Sequence, residues 1–391
     1  MTFTTQPQNA PHIEPKKVPW IERFISQPHQ LFFTSSIAFA LITMILTMIS
    51  LIGKIPLDFS VVHGFGLIYG VFTNAFLGFL ITVIPRYTTS FEIESKTYLP
   101  IWIAYQLALL LGLFGSIFFG KLALAVVLFY TCKVFYYNIK EGYYTSKEES
   151  YILTALLLLS AILLSFEVVS GLDLSVLIFY GYLINLVYIV AGKMIPSFYS
   201  VFTREAKWEK PKYFNYFAMV LMILLGITIQ FELLFFNKII ALIALGFFSY
   251  FIFNLNIYKK TPPIIFILTL GLIWFEVGII TLFIESIFEI QALKLSLHIF
   301  ALGFVLNLLI GFGSRVIMGH ATPPQKITAD KFLIALFILT QLIVVTRIVS
   351  SLLFFNGSEL FTGLLHLSIF LWIVLFFGWV LKFGGTILRV R

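Results

Sequence analysis

Two apolar stretches of this 391-residue chain each carry a histidine at one end and a cation at the other. Residues 62–88 read VHGFGLIYGVFTNAFLGFLITVIPRYT, with His63 near the start and Pro85-Arg86 near the end. Residues 297–324 read LHIFALGFVLNLLIGFGSRVIMGHATPP. Here His298 lies near the start, Asn307, Gly311 and Gly313 in the body, and Arg315, His320 and a Pro-Pro pair at the close. An ionisable side chain inside an apolar run is costly to bury, which makes it a functional candidate. Neutral imidazole is a ligand for haem iron and for copper. A helical bundle can hold such a centre between side chains of facing helices. A single histidine in such a run reads more readily as a packing residue bonded to a carbonyl. The pair His63 and His298 tips the balance to axial ligation of a haem iron.

The elements that must position this pair follow from composition. The chain is 60% hydrophobic and only 11% charged, which points to a polytopic membrane protein rather than to soluble domains. The net charge of +8 does not signal a nucleic-acid partner, because the basic residues collect beside apolar runs. Cys132 is the one cysteine, so no internal disulfide and no CxxC motif exists. No Walker A, GxGxxG or HExxH pattern supports nucleotide-driven pumping or zinc proteolysis.

Residues 1–30 read as a polar cytoplasmic tail ending in an interfacial segment around Trp20, without the order of a secretory signal. Residues 31–391 read as one all-α domain of twelve transmembrane helices. The spans fall at 31–53, 60–84, 99–119, 122–139, 151–171, 174–196, 213–235, 239–258, 262–284, 290–316, 331–355 and 360–383, with the shortest break at Gly120-Lys121. On this plan Lys54, Lys121, Lys238 and Lys294 are the only basic residues on one side, and Arg347 lies inside span eleven. Every other Lys and Arg lies with the termini, which places both termini in the cytoplasm. A weak repeat is visible. Asn74 precedes Pro85 by eleven residues, Asn185 precedes Pro196 by eleven, and Asn307 opens a similar small-residue pattern. These asparagines fall in spans two, six and ten, which suggests three four-helix units around a pseudo-threefold axis.

The topology assigns depths. His63 lies about one turn inside the outer end of span two, and His298 and His366 about two turns inside spans ten and twelve. His366 is a substitute ligand, or a contact to copper or a haem propionate. Glu167, Glu276 and Arg347 share the outer halves of spans five, nine and eleven. Arg347 either pairs with a haem propionate, matching its carboxylate fork, or forms an ion pair with Glu276 or Glu167. His12, His29 and His320 fall on the cytoplasmic side. Asn74, Asn185 and Asn307 read as interhelical hydrogen-bonding residues. Pro85-Arg86 and Lys193 to Pro196 read as helix ends anchored by their cations.

These motifs resemble the NnrS family. His63-Gly64 to Gly70, followed by Gly78-Phe79-Leu80-Ile81-Thr82 and Pro85-Arg86-Tyr87, is similar to its second-helix signature. Gly192-Lys193-Met194-Ile195-Pro196-Ser197-Phe198 to Thr203 resembles its mid-chain motif. His298, Gly303 and Arg315-Val316-Ile317-Met318-Gly319-His320 resemble its third. The resemblance implies a twelve-helix protein of the bacterial cytoplasmic (inner) membrane, associated with haem b, copper, nitric oxide and nitrosative-stress tolerance, with a possible redox partner. Its plan is similar to the catalytic subunit of haem-copper oxidases, whose second and tenth helices ligate the low-spin haem, and this analogy falls on His63 and His298. Phe65 and Gly66 stand where typical members carry a second His and a Glu. No histidine occurs between residues 64 and 297, so the oxidase copper site cannot be built and an oxygen or nitric oxide reductase of that type is excluded. The alternatives are a secondary transporter of a small anion or metal ion using the buried Glu, Arg and His groups, and an assembly subunit whose polar groups are structural.

Overall fold

The computed structural model describes residues 19–54, 58–290, 292–321 and 325–389, which form helices and short links with no strand among them. Most of the polar tail, with His12, and the Pro323-Pro324 pair lie outside the described residues. Eleven helices are long and apolar enough to cross a bilayer. They are spans one (Pro28–Leu51), two (Val61–Thr88), three (Ser95–Phe114), four (Ile117–Glu141), five (Glu148–Ser170), six (Ser175–Thr203), eight (Leu234–Leu255), nine (Pro263–Phe288), ten (Leu295–His320), eleven (Lys331–Phe355) and twelve (Leu360–Leu388). Span seven (Phe214–Gln230) has 17 residues, a length of about 26 Å at 1.5 Å per residue. The protein is therefore an all-α, multi-pass membrane protein.

Spans two, six and ten are the inner helices. Their apolar windows are 89%, 89% and 72% buried, against 28–56% for the other long spans. Each contains a stretch of wide, π-helical coil: Val61–Thr73, Ile178–Ile184 and Ile299–Leu306. Each stretch reverts to α-helix at an asparagine: Asn74, Asn185 or Asn307. Reverting from i→i−5 to i→i−4 bonding skips one carbonyl, and in hydrocarbon that carbonyl needs a partner. The asparagine supplies it. Asn74, Asn185 and Asn307 donate side-chain N–H bonds to Gly70, Gly181 and Gly303, four residues earlier, at 3.1, 3.3 and 2.5 Å. At each junction a backbone bond reaches the next carbonyl instead, on Val71, Tyr182 or Phe304.

The same asparagines dock the third helix of each unit, as expected of interhelical hydrogen-bonding residues. Gln106 of span three donates to Asn74 Oδ1 at 3.1 Å. Thr340 and Gln341 of span eleven donate to Asn307 Oδ1, each at 2.7 Å. Asn185 donates to the Met219 carbonyl of span seven at 2.9 Å. The inner helices also meet one another. Tyr182 of span six donates to Thr73 of span two at 3.0 Å, and its neighbour Tyr180 packs edge-on to Phe300 of span ten. A pattern of Gly-x-x-x-Asn, three times over, thus marks three four-helix units.

Three sequence expectations need correction. The third and fourth spans separate at Gly115-Ser116, not at Gly120-Lys121. Gly120 is a contact residue: a Cβ there would stand 2.3 Å from the Gly112 Cα, so the hairpin closes only with glycine at this point. Pro85 and Pro196 lie inside helices that run on to Thr88 and Thr203, because packed neighbours hold the coil across one missing donor. Span ten begins at Leu295, so His298 sits in its first turn rather than two turns in.

At the end of the bundle that carries both described termini, the Trp20 indole donates to the Leu388 carbonyl and ties the start of the described chain to span twelve. Asp330 caps span eleven by accepting from the Leu333 N–H at 2.9 Å and also holds Lys382.

Gly120→Val is expected to cost about 1–3 kcal/mol through overpacking, seen as a lower unfolding temperature in detergent. An unchanged value would show that the Gly112–Gly120 approach is not tight. Lys382 and the Leu333 N–H hold the Asp330 carboxyl below the usual carboxylate range. Its contribution is present above the unfolded value near 3.9 and is lost as pH falls through the lower folded value. Asp330→Ala should therefore cost about 1 kcal/mol at neutral pH, and the gap to the parent should close at acid pH.

Candidate functional site

His63 is the third residue of span two, within its widened coil. The Phe59 ring stacks on its imidazole with centroids 5.2 Å apart, and its Nδ1 is buried without a hydrogen-bond partner. His298 closes the first turn of span ten. The two rings face each other with centroids 6.3 Å apart and planes at 33°. The two histidines singled out in the sequence thus stand side by side.

The link before span ten sets His298. Leu293 and Lys294 both adopt left-handed backbone, with φ of 47° and 53°. That conformation costs an ordinary L-residue roughly 1–2 kcal/mol. It turns two successive carbonyls toward the site. The Lys294 carbonyl accepts from His298 Nδ1 at 2.9 Å, which fixes the tautomer and puts the lone pair on Nε2, where Arg347 Nη2 approaches it. The Leu293 carbonyl accepts from Arg347 Nη2 at 3.2 Å. The same nitrogen lies 3.3 and 3.4 Å from the two ring nitrogens of His298, and Nη1 donates to Ser351 Oγ.

Arg347 is only 7% exposed, and its partners are all neutral. The ion pair with Glu167 or Glu276 is not made. Glu167 is held by Lys121 at 3.0 Å and by the Leu174 N–H at 2.7 Å. Glu276 accepts from the Ser249 hydroxyl. A guanidinium buried among neutral partners is an unneutralised charge, and such a site favours an anionic group. His366 is half-buried on span twelve, and no ring contact or hydrogen bond joins it to His63 or His298 among the described residues. Among the described residues, then, Arg347 bonds neither glutamate, and Glu167 and Glu276 each keep partners of their own. Two small apolar gaps between spans one, two, ten and twelve, lined by Phe33, Ala75, Leu309 and Gly313, reach neither imidazole.

Sequence reasoning placed both histidines and Arg347 but missed the Leu293-Lys294 turn and the glycine partners of the asparagines. The second was legible, since Gly70, Gly181 and Gly303 each precede their asparagine by four residues. The first was not, because neither Leu nor Lys signals a left-handed conformation.

The fold and this site define a multi-pass membrane protein with facing imidazoles on two of its three central helices. The chain belongs to the NnrS family: the family model described as NnrS protein matches residues 23–391. No curated protein matches the chain.

Lys294→Gly keeps the inward carbonyl and relieves the strain, so stability should hold or rise by up to about 1 kcal/mol. Lys294→Val, β-branched at positive φ, should lose about 1 kcal/mol or more. Thermal unfolding of the two variants checks this, and equal values would show that the turn is unstrained.

Proposed function

We propose that this protein holds a haem b between His63 and His298 and acts in the response to nitric oxide or in protection against nitrosative stress, from the bacterial cytoplasmic membrane. The observation that carries the reading is the spacing of the two rings beside an unneutralised cation. Two imidazoles that would hold one iron between them through bonds of about 2 Å would stand with ring centres on the order of 6 Å apart. The centroid distance in the structure is 6.3 Å. The donor atoms fit as well. His298 presents Nε2 because Nδ1 is engaged, and His63 carries a buried nitrogen with no other partner. Arg347 would pair with a propionate, satisfying the buried charge. Arg347 lies against His298 and Phe59 against His63, so both side chains would have to move to admit the macrocycle.

The haem would supply a redox-active iron able to bind a diatomic ligand. The residues set which role it plays. Two firm imidazoles favour electron exchange with a redox partner, and release of one opens a position for nitric oxide. The basic residues gathered at the end that carries the termini support a cytoplasmic placement of that end, which puts the His63–His298 site in the outer leaflet. Membership of the NnrS family supports the nitric oxide association. A copper ion at this site has less support, since Phe65 and Gly66 follow His63 and neither side chain is a ligand.

The test is the optical spectrum of the purified protein, oxidised and then dithionite-reduced, with haem quantified as the pyridine complex. About one haem per chain with sharp reduced bands is expected of bis-imidazole ligation. His63→Ala and His298→Ala should each lower haem content at least about tenfold, while His366→Ala retains it. Haem content unchanged in both variants, or a colourless protein from haem-supplied cells, would overturn the reading.

A further inference from the structure

The bundle carries a second imidazole pair at its other end. His29 opens span one and His320 ends span ten. Their ring centroids are 4.8 Å apart with planes at 50°. His29 is 4% exposed, and its Nδ1 has no hydrogen-bond partner. A buried nitrogen left without a bond is costly unless something satisfies it. His320 is fixed differently. Its Nδ1 donates to the Val316 carbonyl at 2.9 Å, so Nε2 carries the lone pair, and Arg86 Nη2 donates to that atom at 3.2 Å.

We infer that His29 and His320 form a binding site for a single divalent first-row transition-metal ion, distinct from the His63–His298 pair. The ring spacing separates the two sites. At 4.8 Å these rings are too close to ligate a metal from opposite faces. A bent chelate with tetrahedral angles and metal–nitrogen bonds of 2.0–2.1 Å places the centroids about 5 Å apart. Both lone pairs belong to neutral imidazoles, which suit zinc and copper. His320 carries its own orienting bond to Val316, the arrangement that metal-bound histidines use to fix the tautomer.

Arg86 is the competing group. It is exposed at the helix end, so its guanidinium can leave Nε2 for solvent when an ion arrives. Its charge lowers the affinity of the site for a cation and so sets a threshold concentration for occupancy. No cluster of three His, Cys, Asp or Glu occurs among the described residues, so the protein supplies two ligands. The remaining positions are open to water or to an exchanging small ligand. The placement fits this, since Arg86 is exposed and His320 half-buried beside it at the end that carries the termini.

The test uses full-length protein in detergent, stripped of metal and titrated with Zn2+, in a His63→Ala and His298→Ala background. That background keeps the outcome independent of the haem reading. One Zn2+ per chain is expected, and zinc-edge X-ray absorption should show two imidazole nitrogens at about 2.0 Å. His29→Gln and His320→Gln should each weaken binding at least about tenfold. Arg86→Ala should strengthen it several-fold, a gain that misfolding cannot produce. Binding unchanged in both histidine variants, absence of a stoichiometric Zn2+, or weaker binding in Arg86→Ala would overturn the assignment. The last result would make the arginine part of an anion site.

Discussion

Every polar group inside this bundle has to find its partner within the protein, because hydrocarbon offers none. That constraint is met in one repeated way. Spans two, six and ten widen their coil, lose one carbonyl from the backbone ladder at the return to α-helix, and recover it with an asparagine side chain four residues on. The glycine that owns the carbonyl lets a neighbour approach, and at Gly303 that neighbour is Trp274. Trp274 in turn donates to Gln341, which donates to Asn307. Span three repeats the plan with Trp102, Ser35, Gln106 and Asn74. One polar device therefore sets both the shape of each inner helix and its docking to the next.

The device is not equally complete in the three units. Asn74 and Asn307 have their side-chain oxygens filled by Gln106 and by Thr340 and Gln341, whereas the Asn185 oxygen has no partner and lies at zero exposure. The two complete units are those whose inner helices carry the imidazoles. Their added polar bonds fix spans two and ten against spans three and eleven. Arg347 comes from span eleven itself, two turns beyond the residues that hold Asn307. The histidine site is thus supported by the same contacts that satisfy the widened coil, and a ligand bound there would load helices already held in place.

Spans two and ten also meet a histidine and an arginine at each end. At one end His63, His298 and Arg347 gather with rings 6.3 Å apart, and at the other His29, His320 and Arg86 with rings 4.8 Å apart. The arginines differ in kind. Arg347 is buried with neutral partners only and favours an anion, whereas Arg86 is exposed and free to move aside. The same residue types therefore suit different ligands at the two ends, because burial decides whether a guanidinium must be neutralised or can be hydrated.

The amino-acid sequence by itself determined the class, the succession of apolar helices, the candidate residues His63 and His298 and the interhelical bonding of the three asparagines. Apolar length, rare buried polar groups and the uneven distribution of Lys and Arg are local properties, and they survive without coordinates. What only the tertiary structure decided depends on which surfaces meet. Gly120 looked like a break and is a helix contact, because the proximity of Gly112 cannot be read from spacing along the chain. Arg347 turned to His298 rather than to a glutamate, since Lys121 and Ser249 had already engaged Glu167 and Glu276. His29 and His320, which the sequence places on the cytoplasmic side, lie against each other because spans one and ten, almost 300 residues apart, meet at the same level of the bundle. Pairing between distant helices is a property of packing, and packing is settled by the whole set of buried contacts at once.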